Sequence, residues 1–200
     1  MSSETKKPGR GRPKTLSKDH VIDVAMHAYW EEGPSEVSLN EVCQRAGVSK
    51  PSVYREFGND DGLSAAALQR YAETVLSEML AIVGSDDGVA DKIRKIAFLS
   101  AEDPLHEHGC LFVSLRSAKA QMGPQTQELI DQIEDMAFDA FVGLLTEASA
   151  SGQLKNDISV ELAARYLHAQ IGMALDHRAR GQDPKEVLDL ALSVLVEPEE

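Results

Sequence analysis

A short segment at residues 49–57 carries polar side chains that could contact a nucleic acid. Ser49 can cap a helix in this segment, with Val53 and Phe57 on one face. The other face and its flanks bear groups suited to a DNA groove or to phosphate: Lys50, Pro51, Ser52, Tyr54 and Arg55. Arginine and lysine suit guanine or phosphate, a serine hydroxyl is permissive, and tyrosine can donate to phosphate. An ordinary corner between two helices has the same spacing, so the segment alone leaves both interpretations open.

The element before this segment is predicted to be a second capped helix. Ser38-Leu39-Asn40-Glu41 has the pattern of a capping box, and Val37 can pack against Val42 across the helix start. This helix should end at Ala46-Gly47, where glycine permits a sharp bend. Two short helices joined by a glycine-containing turn are typical of a helix-turn-helix.

Helical patterns continue along the rest of the chain. Ser17 should cap a helix that ends at Gly33-Pro34, and apolar residues step by fours from Leu63 to a helix end near Gly84. Later helices are expected at roughly 88–101, 110–120, 125–150, 159–180 and 184–196. We therefore expect an all-α fold in three parts: a disordered basic arm at 1–16, a helix-turn-helix domain at 17–62, and a C-terminal helical ligand-binding and dimerisation domain at 63–200.

Charge is distributed unevenly along the chain. The net charge of the 200 residues is −13, yet residues 1–18 hold six basic side chains and one acidic one. A basic arm on an acidic body favours a polyanionic partner. Arg10, Arg12 and Lys14 belong to a Gly-Arg-Gly-Arg-Pro-Lys stretch that resembles the core of an AT-hook, whose arginines enter a narrow minor groove. The alternative is a tail that binds phosphates without preference, and both interpretations predict DNA contact.

Composition and motifs argue against several other classes. A hydrophobic content of 42 % and a charged content of 26 % are typical of a globular domain. Cys43 and Cys110 are the two cysteines, too few for a disulfide scaffold, so we expect free thiols. No apolar run is long enough to span a bilayer and no secretory signal is evident, which predicts a cytoplasmic protein without membrane contact. A phosphate-binding glycine loop, a nucleophile elbow and a metalloprotease helix are all missing from the sequence, so we expect neither an enzyme nor a cofactor.

The stretch from Ser38 to Phe57, with Leu63 six residues on, resembles the DNA-binding signature of TetR/AcrR-type transcriptional regulators. The similarity covers residues 17–63, and the rest of the chain is similar only in layout. The resemblance implies a homodimeric repressor that binds double-stranded operator DNA and holds a small-molecule effector in its C-terminal domain. The DNA-binding residues that we expect are Arg10, Arg12, Lys14, Ser38, Ser49, Lys50, Pro51, Ser52, Tyr54 and Arg55.

Three positions depart from the family pattern. Asp60 stands where a lysine usually contacts phosphate, and Asp61 follows it, so anchoring of the DNA backbone should be weaker there. Pro34 replaces a common aromatic residue, so the loop after the first helix should pack differently. Cys43 takes a position usually given to alanine, where we expect a small buried side chain.

Apolar and aromatic side chains in the later helices could line the implied effector pocket, although their helical spacing more often marks an ordinary core. The ligand-binding residues that we expect are Phe98, Phe112, Arg116, Phe138, Phe141, His168 and Met173. Such a lining would favour a hydrophobic or amphipathic effector, and the acidic body gives a slight preference for a cationic one.

The last two helices should pair with their copies across a two-fold axis. Two such pairs would make a four-helix bundle, and a dimer of recognition helices demands a pseudo-palindromic operator. The apolar residues expected to serve this interface, and in part the protomer's own core, are Leu167, Ile171, Ala174, Leu175, Val187, Leu188, Ala191, Leu192 and Leu195.

Two rival hypotheses remain at this point. His106, His108 and Cys110 lie within five residues and could bind zinc or copper, or with Cys43 sense oxidation, but no distant partner completes a tetrahedral set, so we expect no metal. A helical small-molecule-binding or enzymatic protein without operator recognition is the other rival, supported by Asp60 and the acidic body. The acidic residues 131–139 are expected to form a solvated helix face.

Overall fold

Helices make up the regular structure of the described part of the chain. The computed structural model describes residues 17–102, 108–155 and 157–196. Its helices are α1 Lys18–Glu32, α2 Leu39–Ala46, α3 Lys50–Phe57, α4 Asp60–Tyr71, α5 Ser77–Val83, α6 Val89–Glu102, α7 Leu111–Ser117, α8 Pro124–Ala150, α9 Val160–Ala179 and α10 Pro184–Leu195. Within these ranges no β-strand forms, apart from an isolated bridge between Leu154 and Val196, and the predicted all-α class is confirmed.

Most helix starts follow the local capping signals of the sequence. The Ser17 hydroxyl accepts a hydrogen bond from the His20 N–H at 3.4 Å, and the Asp183 carboxylate accepts one from the Lys185 N–H at 2.9 Å. The fourth helix is an exception, because it begins at Asp60 and not at Leu63. Its cap is Asn59, whose side-chain oxygen accepts from the Gly62 N–H at 2.8 Å. The polar first turn carries no apolar residue, so the hydrophobic pattern places the start three residues too late.

α4 does not stop at Tyr71 but continues through a π-helical turn, Ala72–Leu76, into α5. The combined helix ends at Val83, before Gly84, as the sequence predicts. The buried residues of α4, such as Leu63 and Leu68, pack against α1 on one side and α8 on the other. The domain boundary expected between residues 62 and 63 therefore falls inside a helix that serves both halves of the molecule.

The last two helices, α9 and α10, pack on each other and against α8 and α6. The residues expected to pair across the two-fold axis are wrong for that role, because all of them except Leu192 are buried within the protomer. Periodicity identifies an apolar stripe but not which of two neighbours covers it. The large apolar side chains that α9 and α10 expose are Leu162, Met173, Leu190 and Val194. None of the helices in the described ranges is both long and apolar enough to cross a membrane.

Candidate DNA-binding surface and ligand cavity

The turn between α2 and α3 is fixed by local hydrogen bonds. Both halves of the capping box form, with the Ser38 N–H donating to the Glu41 carboxylate at 2.7 Å and the Glu41 N–H donating to the Ser38 hydroxyl at 3.4 Å. Gly47 closes α2 with a φ of 67°, a left-handed conformation that glycine adopts without strain. Val53 of α3 is fully buried beneath the pair. α3 is therefore held rigidly, with its opposite face free.

The free face of α3 carries the polar residues that the sequence singles out. Pro51, Tyr54 and Arg55 are exposed, and Lys50 and Ser52 are half-buried. The Lys50 Nζ lies 5.2 Å from the centre of the Tyr54 ring, and a hydrogen bond to Tyr54 raises the pKa of this lysine. Lys50 is therefore a cation at neutral pH.

Two residues at the ends of α3 behave differently from each other. The Ser49 hydroxyl occupies the cap position but bonds to the Ser52 hydroxyl at 2.9 Å, so the expected side-chain cap does not form. Arg55 makes no hydrogen bond or ion pair with any residue of the described part, which leaves its five N–H donors available. Ser38 lies near Lys50, across a polar cleft that both line.

A close backbone approach joins α3 to α4. A Cβ at Gly62 would lie 2.0 Å from the Phe57 carbonyl oxygen, so only glycine lets the first turn of α4 meet the last turn of α3 at this distance. The first turn of α4 is therefore in direct backbone contact with the end of α3.

Asp61, the second residue of α4, caps the start of α8. Its carboxylate accepts hydrogen bonds from the Gln125 N–H at 2.9 Å, the Thr126 N–H at 3.1 Å and the Thr126 hydroxyl at 2.7 Å. Thr126 is fully buried, and a Cβ at Gly123 would lie 2.3 Å from the Asp61 Cγ. Burial alone would raise the pKa of Asp61, but these three hydrogen bonds outweigh it and lower that pKa. We call this contact the α4–α8 latch.

A second contact joins α1 and α4 to the segment before α7. The Trp30 indole N–H donates to the Gly109 carbonyl at 2.9 Å, and its ring meets the Tyr71 ring edge-on at 4.8 Å. The Tyr71 hydroxyl donates to the Cys110 sulfur at 3.2 Å. Cys110 also lines the ligand cavity, so this contact reaches from α1 to the cavity wall.

The cavity lies among α5, α7, α8 and α9, and the space in it that is open to a water-sized sphere is about 50 Å³. Of the expected ligand residues, Phe112, Arg116, Phe141 and His168 line it. The lining that the sequence interpretation missed is mostly aliphatic: Leu76, Met79, Leu80, Val83, Val113, Ile133, Met136, Ala137, Ile171 and Leu175.

Three of the expected ligand residues lie outside this cavity. Phe98 is 63 % exposed and Met173 is 44 % exposed, so both point away from the protomer interior. The Phe138 ring packs beneath the Arg165 guanidinium, 4.7 Å from ring centre to Cζ. All three sit in apolar helical stripes like the true lining residues, and only the packing of neighbouring helices separates the two groups.

Comparison with known proteins places these features in one family. The model for bacterial regulatory proteins of the tetR family matches residues 21–67, which include α2, its turn and α3. The chain is also 25 % identical to the HTH-type transcriptional repressor ComR of Escherichia coli (strain K12), over 97 % of this chain and 94 % of that protein. Residues 21–67 of this chain therefore match the TetR family.

Solved structures of TetR-family proteins share the fold. The regulatory protein TetR from Rhodobacter sphaeroides superposes with a TM-score of 0.78 at 20 % identity, over 91 % of this chain and all of that one. The TetR-family regulator CifR, crystallised as a cysteine mutant with 26-bp operator DNA, superposes with a TM-score of 0.73 at 20 % identity, over 92 % of this chain and all of CifR.

The departures from the TetR-family pattern have distinct structural settings. Asp60 is exposed beside Lys50, at the mouth of the polar cleft that Pro34 also lines. Asp61, by contrast, points to α8. Cys43 is buried, as expected, and burial raises the pKa of its thiol.

The setting of Cys110 argues against thiol chemistry. Cys110 is buried and its pKa is likewise raised by burial, which disfavours the reactive thiolate. His108 is exposed, and His106 lies outside the described residues, as do Arg10, Arg12 and Lys14 of the arm. No cluster of three or more metal-ligating side chains occurs in the part of the chain that the structure describes.

Proposed function

We propose that this protein is a transcriptional repressor of the TetR family that binds a pseudo-palindromic operator as a homodimer and leaves it when a small molecule occupies the cavity. It acts as a binding protein, without catalysis. The observation that carries the proposal is the α4–α8 latch, because it connects the helix next to the polar face of α3 with a helix that lines the cavity.

α3 is the recognition helix of this proposal. Arg55 has the donor geometry for guanine O6 and N7, and Lys50 and Tyr54 are placed to contact phosphate beside it. The basic arm adds salt-dependent affinity from a neighbouring part of the duplex. Two similar proteins support the same role for this chain. ComR is a repressor, and CifR has been crystallised with its operator DNA.

Dimer formation would cover the apolar face that α9 and α10 leave exposed. Leu162 and Leu190 are 61 % and 62 % exposed, and Met173 and Val194 extend the same two helices. Several large apolar side chains exposed on two helices that pack together are typical of an interface. A two-fold pairing of α9 and α10 would bury them and fix the spacing of the two α3 helices.

Effector control would act through α4 and its continuation into α5. Leu76, Met79 and Val83 of this helix line the cavity, while its first turn holds α3 through Gly62 and α8 through Asp61. A ligand that fills the cavity displaces α5 relative to α8, and the close contact at Gly62 carries that movement to α3. A preference of about 1–3 kcal/mol for the displaced state would weaken operator binding about 5–150-fold.

A mobility shift on DNA flanking the protein's own gene tests the proposal. The wild-type protein should form a retarded complex, and a variant with Lys50, Tyr54 and Arg55 all changed to alanine should not. Arg165→Ala is the control, because it removes an exposed cation far from α3. Full binding by the triple variant, or no binding by the wild type, would reject the assignment.

A further inference from the structure

The charge of the cavity lining indicates the chemical class of the effector, an inference that rests on the proposed function. The walls are hydrocarbon from α5, α8 and α9, and in the described ranges the polar side chains that line the cavity are Cys110, Arg116 and His168. No carboxylate from those ranges lines it. The cationic effector that the acidic body favoured would therefore meet the Arg116 charge in the lining, whereas Glu134, the ion-pair partner of Arg116, does not line the cavity.

Arg116 projects from α7 into the wall with most of its donors unused. Its Nη1 lies 3.5 Å from a Glu134 carboxylate oxygen, at the limit of a hydrogen bond, and that glutamate is itself half exposed. No hydrogen-bond partner from the described residues approaches the Arg116 Nη2 or Nε. The Nη2 lies 3.4 Å from the position of a Cβ at Gly172, which lines the cavity, so this end of the guanidinium is within it.

Packing holds the Arg116 guanidinium in place. It lies over the Phe112 ring, 5.5 Å from the ring centre, and its Nη2 lies close to Gly172 of α9. A planar guanidinium that is already oriented and has free donors matches the paired oxygens of a carboxylate or a phosphate, and the single charge of a carboxylate suits the one cation that the described residues place in this lining.

His168 provides a second, neutral polar group next to Arg116. Burial, reinforced by the Arg116 charge, lowers the pKa of His168, so its imidazole is neutral at physiological pH. A neutral imidazole offers one N–H donor and one acceptor. Its ring packs against Phe141 with the centres 5.7 Å apart, on the apolar side of the cavity.

We propose that the effector is an amphipathic carboxylate, whose carboxylate binds the Nη2 and Nε of Arg116 beside His168 and whose hydrocarbon part lies among Met79, Val83 and Ile133. Glu134 keeps its long contact with Nη1, so the ligand uses donors that the protein leaves vacant. The apolar walls bind the hydrocarbon tail by burying its apolar surface, and Arg116 supplies the selectivity for the head group.

Three probes with the same hydrocarbon chain and different head groups test the assignment: octanoate, octanol and octylamine. Titration calorimetry on the full-length protein should give octanoate an affinity at least about tenfold above either of the others, since hydrogen bonds to a charged group contribute about twice as much as neutral ones. In Arg116→Met the preference for octanoate over octanol should fall to about one. Arg165→Met is the matched control, because this arginine also stacks on an aromatic ring but lies outside the cavity.

Several results would overturn the carboxylate assignment. They are equal affinities of the wild type for all three probes, no binding of any of them at millimolar concentration, and an unchanged preference in a folded Arg116→Met. Circular dichroism and thermal unfolding establish the folded state, and Arg116→Gln gives a second variant if the methionine variant does not fold. Operator binding by the same wild-type sample without probe is measured in parallel. Its absence rejects the proposed function, whereas a failed head-group preference with operator binding intact rejects the effector class alone.

Discussion

Replacement of Asp61 by alanine should destabilise the protein far more than the same replacement at the adjacent Asp60. Asp61→Ala leaves the Gln125 and Thr126 N–H groups without their cap, which costs about 0.5–2 kcal/mol for a typical helix. It also leaves the fully buried Thr126 hydroxyl without its acceptor, at about 1–3 kcal/mol. The two losses share one carboxylate and Asp61 is half exposed, so we expect a total of about 2–3 kcal/mol.

This loss can be measured by urea and thermal unfolding followed by circular dichroism. For a chain of this length it corresponds to a decrease in melting temperature of about 4–12 °C. Asp60→Ala is the matched control, since Asp60 is exposed and makes no hydrogen bond to α8 in the described part of the chain. Asp61→Asn should lie between the two because it keeps the shape and one acceptor oxygen.

The pH dependence of the same difference tests the carboxylate directly. The pKa of Asp61 is lowered on folding. Its contribution to the free energy of unfolding is therefore fully present above the pKa of an aspartate in the unfolded chain, about 3.9, and is lost as the pH falls through the lower pKa of the folded state. The stability gap between wild type and Asp61→Ala should therefore be constant near neutrality and narrow below about pH 4. A gap no larger than that of Asp60→Ala, or one that persists unchanged into acid, would refute the α4–α8 latch.

Four further outcomes are expected. Arg55→Ala should relax discrimination at one base pair of each half-site by about 1–3 kcal/mol in binding assays with single-base operator variants, and uniform weakening on all variants would argue against base contact. Deletion of residues 1–14 should make the slope of log K against log salt shallower by up to ~4, and an unchanged slope would exclude the arm from the complex. Asp60→Lys should tighten operator binding and steepen that slope by about one. Unchanged binding would show that the first turn of α4 does not approach phosphate. Leu190→Glu should yield a monomer in light scattering, and a dimeric Leu190→Glu would place the interface elsewhere.

The sequence predicts those parts of the fold that depend on neighbours in the chain. The capping box at Ser38 and the turn at Gly47 use contacts within a few residues, so their patterns specify them. The start of α4 is missed because its cap, Asn59, precedes a turn without apolar residues.

The site is harder to predict because its contacts are distant in the chain. Asp61 reaches residues 64 and 65 positions away, and nothing in its local sequence distinguishes it from Asp60. Phe98 and Phe112 both belong to apolar helical stripes, yet one is exposed and the other lines the cavity. Which stripe faces the cavity depends on the arrangement of whole helices, and the aliphatic wall from α5 looks like any other core.

The π-helical turn between α4 and α5 sets the angular phase between the two ends of their shared helix. It holds one residue more than an α-helical turn, and one residue corresponds to about 100° of rotation. The hydroxyls of Thr74 and Ser77 donate to the carbonyls of Arg70 and Glu73, which helps to satisfy the groups that the wider turn leaves free. Because a π-turn takes up one residue while keeping the phase of the flanking helix, loss of a single codon here, for example that of the exposed Glu73, would restore regular α-helix and leave the cavity-lining residues facing as they do. Conversion of the turn to α-helix without a deletion would instead rotate those residues by about 100° relative to the DNA-binding half. The relation between effector and operator therefore depends on the π-helical state of this turn as much as on the side chains of either binding surface.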